Sequence, residues 1–146
     1  MLSMKLLLVC LDASERAPFV LSQAIDLAKA SKAKLRLFRA VGVPPELPKE
    51  LYTLSPNALP DVLLKGATEQ LTELAKQVPA ELLDGVDTHL GVSWDAICNA
   101  ARSYNADLIV IGSHGFSGLD RVLGTTAARV VNHADRSVLV VRAKSI

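Results

Sequence analysis

The sequence predicts an α/β fold: a single-domain, doubly wound open sheet of five parallel strands with helices on both faces, of the Rossmann-like type. Short apolar runs alternate with longer segments in which apolar residues recur every three or four positions, as parallel strands joined by crossover helices require. The chain has 146 residues, of which 50% are apolar. This length and composition suit one domain with a substantial core, so residues 1–146 are assigned to a single domain.

The first elements are a strand, a helix and a second strand. The run KLLLVCLD predicts a strand that ends at Asp12. Ser14 is a typical N-cap residue, and apolar residues then repeat with helical spacing to about Ser31. The next run, KLRLFRAV from Lys34 to Val41, alternates in the manner of a strand that has one more polar face.

Residues 42–60 interrupt this alternation, because they hold five of the seven prolines of the chain. Proline disfavours regular structure, and the segment is either a lid over the sheet or an insertion with no task. A helix is expected to follow from about Asp61 to Gln77, with Pro79 beyond its end. Its predicted inner face consists of Val62, Leu63, Leu71, Leu74 and Ala75.

The second half of the chain completes the pattern of five strands. A near-continuous apolar run, ADLIVIG from Ala106 to Gly112, is typical of a central parallel strand that is buried on both faces. The other predicted elements are a short strand at Asp87 to Gly91, a helix capped by Ser93 from Trp94 to about Tyr104, a helix from Thr125 to about His133, and a last strand with the sequence SVLVVR.

Composition and charge exclude several classes of partner. The 16 basic and 15 acidic residues give a net charge of +1 with no basic tract, so nucleic acid is not an expected partner. No apolar span approaches membrane length, so no membrane segment is expected. The apolar stretch from Leu6 to Leu11 ends at Asp12 and no small-residue cleavage site follows it, so no signal sequence is expected. Cys10 and Cys98 lie far apart within apolar patterns, which suits free thiols in a reducing cytosol. We expect a cytoplasmic protein.

Asp12 and a glycine-rich segment are predicted to share one crevice. In a doubly wound sheet, ligands bind beyond the carboxyl ends of the strands, where the winding changes direction. Asp12 ends the first strand and Gly112 ends the fourth, so the two meet there if these strands are neighbours. Gly112 and Gly115 would let the backbone turn sharply and approach a ligand closely, because glycine has no Cβ.

The glycine-rich segment ends where a helix is predicted to begin, at Gly124, Thr125 and Thr126. The first N–H groups of a helix lack partners within it, so they can donate to phosphate oxygens with support from the helix dipole. A purely structural alternative fits the local pattern equally well: the glycines only turn the chain, and Thr125 is an ordinary N-cap residue. These residues alone leave both interpretations open.

Three motifs together resemble the universal stress protein family over nearly the whole chain. LLLVCLDASE is similar to the first strand and turn of that family, GVSWDAI to the stretch before its third helix, and ADLIVIGSHG followed by GTTAARVVNHADRSVLVVR to its C-terminal signature. The nucleotide-binding branch carries the pattern G-x2-G-x9-G-[ST], and its fixed residue types match Gly112, Gly115, Gly124 and Thr125. Only eight residues separate Gly115 from Gly124, one fewer than in the family pattern.

The resemblance implies an adenine nucleotide, most often ATP with or without Mg²⁺, whose phosphates lie in the glycine-rich segment. It implies that Asp12 contacts the ribose or a phosphate-bound metal. It also implies that an apolar wall formed by Ala40, Val41 and Ile111 receives the adenine. His114 would contact a phosphate, and a solvated turn histidine is a nearly equal alternative. The implied binding residues are Asp12, Ala40, Val41, Ile111, Gly112, His114, Gly115, Gly124, Thr125 and Thr126.

Other residues refine this expectation. Cys10 and Ala13 stand where the family often has proline and glycine, a change that alters the pocket floor without removing it. Arg39 either contacts a phosphate or is a surface cation. His89 and His133 have no carboxylate or cysteine at ligand spacing, so no dedicated metal site is expected.

The expected function is that of an ATP-binding regulatory or stress-response protein. Efficient phosphoryl transfer uses a phosphate-gripping lysine, a held metal and a residue that orients water, whereas the predicted site offers backbone donors and threonines. No catalytic residue is assigned, and we expect at most weak ATP hydrolysis. The alternatives are a slow ATP hydrolase and a nucleotide-free dimeric interaction module. The second of these stays open because the glycine-rich segment is one residue shorter than in the family pattern.

The resemblance also implies a homodimer. The last strand, Ser137 to Arg142, holds four consecutive apolar residues at a predicted sheet edge. An unpaired apolar edge is a template for pairing with another copy, here antiparallel about a two-fold axis. The alternative is a monomer whose edge is guarded by Arg142 and Lys144.

Overall fold

Five parallel strands form one sheet, in the order β3-β2-β1-β4-β5. The structure, a computed structural model, describes residues 4–42, 58–113 and 123–142. The chain winds from β1 outwards to β3 and then returns to the other side of β1, which confirms the predicted doubly wound topology. The strands are β1 Leu6–Cys10, β2 Lys34–Val41, β3 Leu83–Leu90, β4 Leu108–Gly112 and β5 Ser137–Val141.

Helices cover both faces of the sheet. Helices α1 and α2 pack on one face, called here the α1 face, and α3 and α4 pack on the other, called the α3 face. No helix in the described part of the chain combines the length and apolar character needed to cross a membrane. The α-helices of the described ranges are α1 Ala17–Ser31, α2 Ala58–Ala75, α3 Ser93–Ser103 and α4 Thr125–His133, and a 3₁₀ turn at Ala80–Leu82 precedes β3.

The core consists of two apolar layers, one on each face of the sheet. The central strands β1 and β4 are shielded from water on both faces, which explains why their sequences are continuous apolar runs instead of alternating ones. The layer on the α1 face includes Leu7, Val9, Leu21, Leu37, Leu71 and Val110. The layer on the α3 face includes Leu8, Phe38, Ile97, Ile109 and Val130.

Helix α1 begins later than predicted, at Ala17, and Ser14 does not cap it. Arg16 occupies the N-cap position, and no side chain caps the helix. The Ser14 hydroxyl instead donates a 2.5 Å hydrogen bond to Oδ1 of Asp12, and the Ser14 backbone N–H donates to the same oxygen at 2.9 Å. Asp12 and Ser14 therefore form an Asx-type turn between β1 and α1.

Helix α2 begins at Ala58, three residues before the predicted start, and ends at Ala75. Pro60 lies in its first turn, where a missing N–H costs the helix no hydrogen bond. Leu71 and Ala75 are buried as predicted, but Val62 is 66% exposed. Leu71 follows Val62 by nine positions, which make about two and a half helical turns, so these two side chains point in opposite directions. The prediction that Val62 faces the core is wrong for this reason.

Strand β3 spans Leu83–Leu90, whereas the prediction placed it at Asp87 to Gly91. The first half of β3 is polar because it lies at the edge of the sheet and carries acidic partners for Arg36 of β2. The Arg36 guanidinium donates to Asp84 at 2.9 Å and also pairs with Asp87. An edge strand built on charged pairs lacks the apolar alternation that identifies a strand in a sequence.

Tyr104 and Gly85 complete this polar cluster. The Tyr104 hydroxyl donates a 2.6 Å hydrogen bond to Asp87, which raises the pKa of Tyr104, and its ring lies 4.4 Å from the Arg36 guanidinium. A Cβ added at Gly85 would lie 2.7 Å from the guanidinium carbon of Arg36. Glycine at this position therefore leaves room for the arginine to lie across β3.

Candidate functional site

A cavity of about 280 Å³ opens between the carboxyl ends of β1 and β4, where the winding of the sheet reverses. Cys10 of β1 pairs with Ile111 of β4, which confirms that these strands are neighbours. Most of the residues singled out in the sequence border this one cavity. They are Asp12, Ala40, Ile111, Gly112, Gly124, Thr125 and Thr126.

Asp12 lies exposed at the rim of the cavity. Its Oδ1 accepts both hydrogen bonds from Ser14, a residue that is only 6% exposed. This buried serine holds the carboxylate in one orientation. Among the described residues none donates a hydrogen bond to Oδ2 of Asp12, so that oxygen is available to accept one from a ligand hydroxyl.

The start of α4 presents open backbone donors to the cavity. Gly124 is the N-cap residue, and no side chain caps the helix. The N–H of Ala128 donates to the carbonyl oxygen of Gly124 at 3.0 Å and begins the helical ladder. Within the described ranges, the N–H groups of Thr125, Thr126 and Ala127 have no acceptor. Three open donors at the positive end of a helix dipole form an arrangement that suits an anion.

The start of α1 also borders the cavity, but its backbone donors are already used. The N–H of Arg16 donates to Oγ of Ser14 at 3.3 Å, and the N–H of Ala17 donates to the carbonyl oxygen of Ser14 at 3.2 Å. Pro18 has no N–H, and the N–H of Phe19 donates to the carbonyl oxygen of Arg16 at 3.1 Å. An anion in the cavity is therefore expected at the start of α4 and not at the backbone of α1.

Ser93 connects the starts of α3 and α4. It is the first residue of α3, and Val92 occupies the N-cap position, so the prediction that Ser93 caps this helix is wrong. The Ser93 hydroxyl lies 3.3 Å from the Thr126 hydroxyl, within hydrogen-bonding distance. The Ser93 side chain is used between two helices instead of at the end of its own, and this contact holds the start of α4 against α3.

The wall of the cavity on the α3 face is apolar and lies near both cysteines. Burial raises the pKa of the Cys10 thiol, and the nearby Cys98 adds to this effect. Burial also raises the pKa of Cys98, and both are free thiols. A flat apolar ring would find contact on this wall without needing a charged partner. The wall consists of Cys10, Phe38, Ala40, Ile97 and Ile111.

Val41 and Arg39 do not line this cavity. Successive side chains of a strand point to opposite faces, so Val41 and Arg39 lie on the α1 face, opposite Ala40 and Phe38. Nη1 of Arg39 donates a hydrogen bond to Oε1 of Gln70 on α2. Arg39 borders a second cavity, of about 520 Å³, between α1 and α2, which favours its interpretation as a surface cation.

Sequence reasoning missed several residues of the first cavity. Phe38 lies two positions before Ala40 and therefore shares its face of β2. The alternation of the strand could have predicted this position. Ile97 follows Ser93 by four positions and lies on the same side of α3. No sequence pattern indicates that Arg16 borders the cavity, because its position depends on the Asx-type turn before it.

His114 and Gly115 lie outside the described residues, together with the stretch 116–122 that leads to Gly124. Their contacts with a phosphate therefore stay predictions, as does the lid interpretation of the proline-rich segment, of which residues 43–57 lie outside the described ranges. Among the residues that the structure does describe, no group of three or more His, Cys, Asp or Glu side chains is placed to hold a metal ion.

The sequence matches one family over nearly its whole length. The model of the Universal stress protein family matches residues 4–142, a range that contains all the strands and helices that the structure describes. The curated Universal stress protein A homolog 1 from Coxiella burnetii is 31% identical to this chain over 143 residues, covering 94% of this chain and 95% of that protein.

Solved structures agree with this match. Universal stress protein UspA from Lactobacillus plantarum superposes with a TM-score of 0.76 at 25% identity, over 97% of this chain and 100% of that one. A universal stress protein solved in complex with cAMP superposes with a TM-score of 0.64 at 25% identity, over 97% of this chain and 98% of that one.

Proposed function

Because the chain belongs to the universal stress protein family, we propose that it binds an adenine nucleotide, ATP in particular, in the cavity between β1 and β4. The observation that carries this proposal is the start of α4, where the N–H groups of Thr125, Thr126 and Ala127 border the cavity and have no acceptor among the described residues. Phosphate oxygens suit such donors. The related protein solved with cAMP supports an adenine nucleotide as the ligand.

The remaining parts of the cavity suit the other parts of a nucleotide. Ala40 and Ile111 belong to the apolar wall, where an adenine ring would lie. Oδ2 of Asp12 is available to accept a hydrogen bond from a ribose hydroxyl. Gly112, His114 and Gly115 would contact the phosphates, as the family resemblance implies. Mg²⁺, where it accompanies ATP, would be held by phosphate oxygens near the Asp12 carboxylate.

Tight binding without efficient turnover is the chemistry that this site favours. Asp12 is the single carboxylate and Arg16 the single cation among the described residues that line the cavity. Backbone donors stabilise the bound nucleotide and the transition state alike unless they are aimed at the developing charge, and such uniform binding does not raise turnover. The proposed role is therefore regulatory, in the cytoplasm, whose reducing conditions suit the two buried free thiols.

The proposal is tested on protein purified from cells under native conditions. The protein is denatured and the released small molecules are identified by mass spectrometry, and refolded or ligand-free protein is titrated with ATP, ADP, AMP, cAMP and GTP by calorimetry. We expect an adenine nucleotide in the released fraction and binding of ATP in preference to GTP. Phosphate release should be far slower than the typical enzyme rate of about 10 per second.

Two results would redirect this assignment. Multiple turnovers per second in protein free of contaminating ATPase would make the protein an ATP hydrolase. A complete lack of binding to every nucleotide tested would favour an interaction module without nucleotide.

We further propose a homodimer that forms through β5. In the described residues β5 is an edge strand, paired with β4 on one side. Leu139 on this strand is 39% exposed, a large apolar side chain at an edge that offers backbone hydrogen-bonding groups. Antiparallel pairing of two copies about a two-fold axis would cover both.

The substitution Leu139→Glu is expected to convert the dimer to a monomer. Two copies paired at this edge would bring like charges together near the two-fold axis, which destabilises a strand pair. Light scattering at micromolar protein concentration measures the mass of the parent and of the variant in solution. Val62→Glu is the matched control, because Val62 is 66% exposed on α2, away from this edge. The Val62→Glu protein should have the same mass in solution as the parent. A parent with the mass of one chain would contradict the dimer.

A further inference from the structure

The cavity contains one cationic side chain among its described lining residues, Arg16. It is partly exposed, and its guanidinium makes no hydrogen bond or ion pair with any described residue. Two other arginines of the fold are engaged: Arg36 pairs with two aspartates of β3, and Arg136 donates to two carbonyl oxygens near the end of α3. A cation that borders a cavity and has no partner among the described residues is available to a ligand.

The turn before α1 fixes where Arg16 stands. Ser14 is buried and accepts the backbone N–H of Arg16 on its hydroxyl, while the same hydroxyl donates to Asp12. The backbone of Arg16 is therefore tied to the turn at the rim of the cavity. Oδ1 of Asp12 accepts the two hydrogen bonds from Ser14, and the Asp12 carboxylate forms no ion pair with Arg16.

The two helix starts at the cavity differ in what they offer an anion. The start of α4 offers open backbone donors and no cationic side chain among its described residues, and the start of α1 offers a cationic side chain and no open backbone donor. An anion held by the backbone of α4 would still carry uncompensated charge. A guanidinium from the opposite side of the same cavity supplies the missing positive charge, and its planar donors match phosphate oxygens.

We propose that Arg16 is a specificity-determining residue that selects ligands by their phosphate charge, so that the cavity favours nucleotides over the corresponding nucleoside. This inference rests on the proposed function of the cavity. It adds a contact from the α1 side, whereas the described residues of the glycine-rich signature lie at the end of β4 and the start of α4. Arg16 then compensates phosphate charge at the start of α4, which has no cationic side chain among its described residues.

The test compares Arg16→Gln with the parent in calorimetric titrations of ATP, AMP and adenosine. Glutamine keeps a polar side chain and removes the charge. We expect Arg16→Gln to weaken binding of ATP and AMP by about 10- to 100-fold, the size of one lost charge-assisted hydrogen bond, and to leave adenosine binding unchanged. Arg16→Lys, which keeps the charge and loses the planar donors, should recover part of the ATP affinity.

Arg39→Gln is the matched control, because Arg39 borders the second cavity on the other face of the sheet. It should bind all three ligands as the parent does, and thermal melting should show that every variant is folded. Equal ATP affinity for Arg16→Gln and the parent would overturn the role of Arg16 alone. So would an equal loss for adenosine and ATP, since a contact with phosphate cannot affect a nucleoside. A parent that binds none of the ligands overturns the proposed function and this inference together.

Discussion

Replacement of Gly124 by aspartate (Gly124→Asp) is expected to weaken ATP binding by about 100-fold or more while the protein stays folded. Gly124 has φ of −60° and ψ of 159°, a conformation that any residue adopts, and it occupies the N-cap position of α4. An aspartate there would accept hydrogen bonds from the open donors of α4 and stabilise the helix. Its charge about 5 Å from a phosphate would cost roughly 3 kcal/mol at an effective dielectric constant of about 20.

The control for this substitution is Gly124→Asn, which has the same shape as aspartate without its charge. Asparagine also caps α4 and competes for the same donors, so it should weaken ATP binding less than aspartate does. Calorimetry measures both affinities, and thermal melting should show stability equal to or above that of the parent for both variants. If Gly124→Asp bound ATP as tightly as the parent, the phosphates would not lie at the start of α4.

The second large effect is expected from Ala40→Phe, which should abolish ATP binding. Ala40 lies on the α3 face of β2, where its small side chain borders the cavity beside Phe38. A phenylalanine at this position would fill much of a cavity of about 280 Å³ and occupy the wall proposed for adenine. The affinity for adenosine should fall together with that for ATP, because the obstruction affects the base and not the phosphates.

Val41→Phe is the adjacent control. Val41 follows Ala40 directly and lies on the opposite face of β2, away from this cavity. The same added ring there should leave ATP affinity close to that of the parent, provided that melting confirms a folded variant. Loss of binding in Val41→Phe but not in Ala40→Phe would mean that the base lies on the α1 side of the sheet.

Sequence patterns predicted the sheet well wherever burial alone determines the residue types. The bounds of β2 and of α4 agree with the prediction, since an apolar alternation and an apolar helical stripe mark them clearly. Strand β3 was placed too late, because its first half is determined by ion pairs with Arg36 instead of by burial. A pairing between residues about 50 positions apart leaves no mark in a local pattern.

The candidate site was predictable where a strand or helix end determines the position of a residue. Asp12, Gly112 and Gly124 border one cavity because strand order and helix starts bring them together. The implied wall included both Ala40 and Val41, although neighbours in a strand point to opposite faces. The positions of Arg16 and Ser14 at the cavity could not be predicted from the sequence, because they depend on a side-chain hydrogen bond to Asp12 that competes with helix capping.

The raised pKa of Cys10 also has a consequence when oxidants enter the cell. Peroxides and disulfides react with the thiolate and hardly at all with the neutral thiol. Burial raises the pKa of Cys10, which belongs to the apolar wall of the cavity, and that of Cys98 nearby, and so favours the neutral thiol in both. A bound ligand would further restrict access from solvent. The raised pKa and the burial of Cys10 therefore disfavour its reaction with the oxidants that modify exposed, acidic cysteines, and so protect the apolar wall of the cavity.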